Sequence, residues 1–274
     1  MPDSTSADLI QNQVESILQS KKYRQMGIPV ETLRDIVTEE MAHFRSSKDA
    51  QKSVRHKLHT IMAPYLGDPD YPAEQARLQQ MPPDLAPDEL RSFGTSILKA
   101  HASTRERLPI LDAFYKGIFA HTGSPKTVLD LACGLNPFAV PWMGLDPGTQ
   151  YYAYDIHQPR IDLINQFFVR LGMQPLARVA DILLQPPQLE ADVAFLFKEA
   201  HRLEQRRRGS NLPLWKALKV RHLLVSLPSS SLSGQHDLAE RQQHLVRTII
   251  AGQPWQVVEM TFGTEMVFCI EKNT

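Results

Sequence analysis

From Thr127 onward the apolar residues stop returning every third or fourth position and gather into short runs, each closed by a turn. No other feature limits the fold so tightly, because short β-branched runs separated by helical segments build a buried parallel sheet. TVLDLA (127–132) is the first such run. QYYAYDI (150–156) is the second, followed by a helix from Pro159 to Leu171 with Ile161, Ile164, Phe167 and Phe168 on one face. ARVADI (177–182), ADVAFLF (191–197) and HLLVSL (222–227) read as further strands. WQVVEMTF (255–262) and EMVFCIE (265–271), separated by Gly263-Thr264, predict a terminal antiparallel hairpin. The expected class is α/β, an open and mostly parallel sheet closed by that hairpin.

Upstream the period is helical. Leu9, Val14, Ile17 and Leu18 make one stripe, Leu33, Ile36, Val37 and Met41 a second, and Leu58, Ile61 and Met62 a third. The Pro-rich stretch from Gly67 to Pro87 reads as a connector, and one further helix is expected from about Asp88 through His121. This predicts a helical unit over 1–105 and a sheet domain over 106–274, a division the 274 residues accommodate.

The 30 Lys+Arg balance 30 Asp+Glu, which argues against diffuse attraction to nucleic acid or membrane but leaves local fields open. The basic residues are in fact clustered. Lys21, Lys22 and Arg24 form one group; residues 45–57 hold five Lys/Arg against one acid, Asp49; residues 202–221 hold seven against one, Glu204. Such runs serve either as solvated faces or as phosphate contacts. Two cysteines, Cys133 and Cys269, fit a reducing compartment and form no CxxC or Cys/His cluster, so no metal is expected. No apolar stretch approaches the roughly 20 residues of a membrane span. The polar start MPDSTSADLIQNQ has no signal-peptide core, so a cytoplasmic protein without membrane contact is expected.

The chemistry gathers around DLACGLNPF (130–138), where a strand ends and Gly134 frees the turn. Ligands of open α/β sheets sit beyond the carboxyl ends of the strands. Asp155 closes the second strand, where nucleotide-binding sheets place an acid for ribose hydroxyls. Asp181 closes the third, where a carboxylate can accept from an adenine amino group. Each acid can equally be a cap or a salt-bridge partner. The turn lacks GxGxxG and GxxxxGK[ST], which argues against dinucleotides and triphosphates and favours S-adenosylmethionine, a nucleoside cofactor with no phosphate to cradle.

HASTRERLPILDAFY (101–115) followed by DLACGLNPFAVPWMGL (130–145) resembles the Arm family of aminoglycoside-resistance methyltransferases, which methylate N7 of guanine 1405 in 16S rRNA. The likeness continues through YDI (154–156), VADILL (179–184), the Lys198 region, LEQRRRGS (203–210) and the hairpin. Upstream it includes SKKYR (20–24) and RHKLHTIMAPYL (55–66), so it spans nearly the whole chain.

The resemblance implies a Rossmann-like class I methyltransferase sheet behind a helical RNA-binding N-terminal domain. It also implies S-adenosylmethionine as cofactor, the 30S subunit as partner and a monomer. Arg107 is similar to the family's contact to the methionine carboxylate, with His101, Ser103 and Arg105 on the same segment. Ala132 and Gly134 match the turn under the cofactor, Asp155 the ribose ligand, and Asp181 with Ile182 the adenine contacts. Tyr65 matches an aromatic that closes over the cofactor. Phe197 and Lys198 end the fourth strand, where target base and reactive methyl should meet; Lys198 either positions the target or packs its stem. RNA contacts are expected from Lys21, Lys22, Arg24, Lys52, Arg55, Lys57, Lys198, Arg207 and Arg208.

One segment departs from the family. Its basic loop of the form P-T-K-S-L-x-G-R-x-K-G-M is here Pro228-Ser229-Ser230-Ser231-Leu232-Ser233-Gly234-Gln235-His236-Asp237-Leu238. The missing cations bear on target affinity and on which nucleotide is modified, so two other readings stand beside the main one. They are a methyltransferase with a different RNA target, and a weakly active ribosome-binding relative.

Overall fold

In a computed structural model, residues 4–24, 27–62, 67–82, 86–229 and 238–272 are described. The apolar runs form β1 (Thr127–Leu131), β2 (Gln150–Asp155), β3 (Arg178–Val179), β4 (Glu190–Phe197), β5 (Lys219–Pro228), β6 (Gln256–Phe262) and β7 (Glu265–Glu271). They make a 7-stranded sheet in the order β3-β2-β1-β4-β5-β7-β6. The pairs among β3, β2, β1, β4 and β5 are parallel, whereas β7 runs antiparallel between β5 and β6. The strand order turns back beside β1, the crevice where such sheets take ligands.

Twelve helices precede and flank the strands among the described residues: α1 (Ser4–Gln19), α2 (Lys21–Arg24), α3 (Val30–His43), α4 (Ser47–Met62), α5 (Tyr71–Gln80), α6 (Pro87–Leu98), α7 (Ala102–Arg105), α8 (Leu111–Thr122), α9 (Gln158–Arg170), α10 (Ala200–Arg206), α11 (Asn211–Ala217) and α12 (Ala239–Ile250). Successive strand residues face opposite sides of the sheet. Val128, Ala153, Phe195 and Cys269 therefore pack with α5, α6, α8 and α9, while Leu129, Leu196 and Phe268 pack with α10, α11 and α12.

The three stripes contribute to a separate core, in which Val14, Ile17, Leu33, Ile36, Val37, Val54 and Leu58 meet and Ile61 packs against them. Leu9 of the first stripe stays exposed. The division expected at residue 105 meets a sheet core that already includes Leu78 of α5 and Phe93 and Ile97 of α6. Among the described residues, the helical core draws on α1, α3, α4 and the Ile28 turn, with Tyr23 of α2 packed against it.

Three expectations need correction. The stretch expected as a connector contains α5, started by the Asp70 carboxylate accepting from Ala73 N at 3.1 Å with a proline in the first turn. The single helix expected from Asp88 is cut into α6, α7 and α8, with a 3-10 turn at Leu108–Ile110. Pro109 has no N–H to continue the ladder there. ARVADI is a strand only at Arg178–Val179, because Asp181 turns its side chain onto Leu183 N and leaves the sheet edge.

α6 rides directly on the residues after β1. A Cβ at Gly94 would lie 2.5 Å from the Phe138 carbonyl oxygen, an approach no side chain permits. Gly94→Ala is expected to destabilise the fold by about 1–3 kcal/mol, read as a lower urea midpoint with an unchanged slope.

Candidate functional site

Two left-handed residues frame the crevice. Ala132 at φ 48° and Gly134 at φ 54° turn the chain sharply off β1, and a Cβ at Gly134 would meet nothing within 4 Å. The space above that turn is open. Gly134 N donates to Asp155 Oδ2 at 3.0 Å, so the turn is locked to the end of β2. The same carboxylate accepts from His157 N at 3.0 Å and Arg160 Nη1 at 2.9 Å. A carboxylate has about four acceptor positions, so Asp155 keeps one on Oδ1.

Arg160, 2 % exposed, bridges Asp155 to Asp68 at 2.9 Å and accepts company from Tyr71, donating to its hydroxyl at 3.1 Å. Asp68 in turn pairs with His101 and accepts from Tyr71 at 2.7 Å. His101 thus faces the Asp68 cluster. Burial, with the Arg160 cation beside it, pushes the neighbouring His157 imidazole down to about 4. Tyr65 lies outside the described residues.

Arg107 is buried under the β1–β4 crevice. It donates from Nε and Nη2 to Glu265 at 3.1 and 2.5 Å, and from Nη1 to Asn136 Oδ1 at 2.8 Å. The guanidinium lies 4.5 Å over the Phe114 ring and 4.7 Å over Phe197. Three of its five N–H groups are engaged, which leaves two for a ligand carboxylate. Phe197 stacks on Phe195 with centroids 4.8 Å apart.

Lys198, at φ 57°, turns its amine inward rather than to solvent. Nζ donates to Glu106 at 2.9 Å and to the Ser103 carbonyl at 3.4 Å, and lies 3.5 Å from Glu265. Ser103 therefore enters the site through its backbone. Arg105 points away, exposed, with Nη1 on the Lys99 carbonyl at 3.0 Å.

Ile182 is buried in the core that also holds Leu129, Leu131 and Tyr154. Asp181 is a salt-bridge partner: Arg206 grips it at 3.0 and 2.6 Å, and Thr32 donates to it at 2.9 Å.

The basic groups divide in the same way. Lys52 and Arg55 lie exposed on α4 with Lys48 one turn before, and Lys21 and Arg208 are also exposed. Lys57 instead pairs with Glu39 at 3.1 Å and Glu40 at 2.5 Å. Arg207 pairs with Asp35 at 2.6 Å. The side chains of Lys22 and Arg24, and residues 230–237 of the divergent loop, lie outside the described residues.

Sequence reading missed Glu265, Arg160, Asp68 and Arg206. Two left a legible signal: Glu265 is a lone acid opening a strand that is otherwise apolar up to Glu271, and Arg160 follows Asp155 by little more than one helical turn.

Asp130 lies beneath these groups, accepting from Asn136 Nδ2 at 2.9 Å and the Tyr151 hydroxyl at 2.6 Å. Burial raises its carboxyl to about 7, against the pull of both hydrogen bonds. The folded state therefore holds this proton more tightly than the unfolded chain. The resulting stabilisation is full below about pH 4 and is lost as pH rises through 7. Asp130→Asn removes that ionisation. Thermal unfolding is expected to show the variant gaining on the parent, by a few kcal/mol on the order of magnitude, between those pH values.

The crevice thus offers an open turn, an acid with a spare acceptor and a partly free guanidinium, which fit the hydroxyls and carboxylate of S-adenosylmethionine. Comparison with known proteins agrees. A 16S rRNA (guanine(1405)-N(7))-methyltransferase of Micromonospora rosea is 31% identical, with 99% of this chain and 100% of that protein covered. The one from Serratia marcescens is 33% identical, with 96% and 99% covered. The crystal structure of 16S rRNA methyltransferase RmtF in complex with S-adenosyl-L-homocysteine superposes with a TM-score of 0.79 at 30% identity, covering 97% of this chain and 99% of that one. The family model described as ribosomal RNA methyltransferase (FmrO) matches residues 19–269, and the chain belongs to that family.

Proposed function

We propose that this protein methylates N7 of guanine 1405 in 16S rRNA, with the 30S subunit as substrate and S-adenosylmethionine as methyl donor. The observation that carries this reading is full-length likeness to guanine-1405 enzymes at about 30% identity, supported by a turn after β1 that bonds Asp155 through Gly134 and Arg107 through Asn136. When bound, the cofactor supplies a methyl on a sulfonium, open to displacement by a nucleophile.

Arg107 would take the methionine carboxylate with its two remaining N–H groups, and Asp155 one ribose hydroxyl through its free Oδ1 position. Asp181 and Ile182 stand at the adenine end. Phe197 closes the floor between the cofactor and the target. Guanine N7 carries its lone pair at neutral pH, so no general base is required. Lys198 at the end of β4 is held by Glu106 and Glu265, which makes it a brace for the pocket wall. Proximity and alignment then supply the rate. The guanine must leave its stack, at a cost of a few kcal/mol. Methylation puts a methyl and a positive charge at N7, which obstructs aminoglycosides that read that atom.

The RNA-facing part is the helical unit Ser4–Met62, with the exposed cations of α4 as its phosphate contacts, joined by Lys21 and Arg208. Lys57 and Arg207 serve internal ion pairs, so they contribute less than their charge implies. The protein acts as a monomer in the cytoplasm, where its ribosomal substrate is found.

Expression in a susceptible bacterium is expected to yield 30S subunits cleaved at 1405 by borohydride and aniline. Intact rRNA from cells containing folded protein would overturn the target assignment. Arg55→Glu should weaken 30S binding by about tenfold, the loss of one charge-assisted hydrogen bond of about 1.5 kcal/mol, with cofactor affinity unchanged. Lys57→Ala should instead lower stability, because Glu40, buried at 4 % exposure, loses its cation.

A further inference from the structure

Asp181 has no acceptor position left. Oδ1 accepts from Leu183 N at 3.1 Å and Arg206 Nη1 at 3.0 Å; Oδ2 accepts from Thr32 Oγ1 at 2.9 Å and Arg206 Nη2 at 2.6 Å. An ionised carboxylate offers about four such positions. An adenine amino group can therefore bond to Asp181 only if one present donor leaves.

The donors are not equal. Arg206 is bidentate and charge-assisted, buried, and held from its other side by Asp35 at 3.2 Å. Leu183 N belongs to the turn that Asp181 itself opens and moves only if that turn unravels. Thr32 donates a single neutral hydroxyl, and it alone comes from another part of the chain, the helical unit that packs its own core. A hydroxyl can rotate to a new acceptor without moving its helix.

There is room for the exchange. A cleft of about 310 Å³ opens beside Asp181, between the start of α3 and the end of β3. Its lining includes Gly27, Thr32, Gln158, Val179, Asp181 and Gln185. That volume lies in the range of small-molecule sites.

We propose that Thr32 is a specificity-determining residue of the cofactor site, which surrenders its bond to Asp181 Oδ2 when the 6-amino group of adenine arrives. The inference rests on the reading of Asp181 as the adenine acceptor. Arg206 keeps the carboxylate aimed into the cleft throughout, while Thr32 sets how strongly the adenine amino group must compete. By linkage, a ligand that removes the Thr32 bond also loosens the grip of α3 on the sheet by the same free energy.

Calorimetry with the full chain separates the possibilities, using S-adenosylhomocysteine and its 6-oxo counterpart, in which a carbonyl replaces the adenine amino group. Thr32→Val removes the competitor and leaves Asp181 with Arg206. It should tighten S-adenosylhomocysteine by about two- to tenfold, the range of one net hydrogen bond, and leave the 6-oxo ligand unchanged. Thr32→Ser keeps the hydroxyl and should match the parent for both ligands, which also controls for any loss of folded protein. Asp181→Asn tests the underlying reading, since it should weaken S-adenosylhomocysteine and erase the discrimination between the two. If Asp181→Asn leaves both affinities untouched, the adenine reading of Asp181 falls. If it weakens the amino ligand while Thr32→Val changes nothing, that reading stands and the exchange is wrong.

Discussion

The pairing of Arg107 with Glu265 organises the crevice. Each charge taken from water costs several kcal/mol, and removing one member of such a pair leaves the other stranded at about 3–5 kcal/mol. Here the two are 3 % and 2 % exposed and meet through two parallel N–H···O contacts. The pair fastens the segment ahead of α8 to the first residue of β7. Through Asn136 it also reaches the turn after β1, and through Lys198 the end of β4. The Phe114 and Phe197 rings, packed edge to face beside it, keep water from that side of the guanidinium. Four separate pieces of chain are thereby held at one point, and the open space over Gly134 is what they leave between them.

The sheet was legible in the sequence because its evidence is local. β1, β2, β4, β5 and the hairpin are runs in which burial on both faces demands continuous apolar residues, and their bounds differ from expectation by three residues or fewer. Asp130 and Asp155 were legible for a related reason, as acids in or at the end of such runs. Partnership was not legible. Nothing in the neighbourhood of Arg107 announces a carboxylate 158 residues away, or Asp68 as the anchor of Arg160 from 92 residues before it. The α5 helix was hidden by its prolines, which read as breakers although one sits in the first turn, where the missing N–H costs nothing.

The basic clusters show the same limit. Lys57, Arg206 and Arg207 look alike in sequence to Lys52, Arg55 and Arg208, yet the first three face Glu39, Glu40, Asp35 or Asp181. Helical phase explains part of the difference. Lys48, Lys52 and Arg55 fall on one side of α4, while Val54 and Leu58 put Lys57 near the side that meets α3. A count of charges along the chain therefore overstates the cationic surface on offer.

The polar bonds that join the helical unit to the sheet carry a consequence for bench work. They run from Thr32, Asp35 and Glu39 to Asp181, Arg206 and Arg207, and the outer ones are open to solvent. Added electrolyte screens exposed ion pairs over about 10 Å at 0.1 M. It also weakens phosphate contacts through counterion release. Raising the ionic strength would thus loosen the joint and the ribosomal contact together. A log–log plot of affinity against salt would then be steeper than the number of phosphates touched, and counting contacts from its slope would overestimate them.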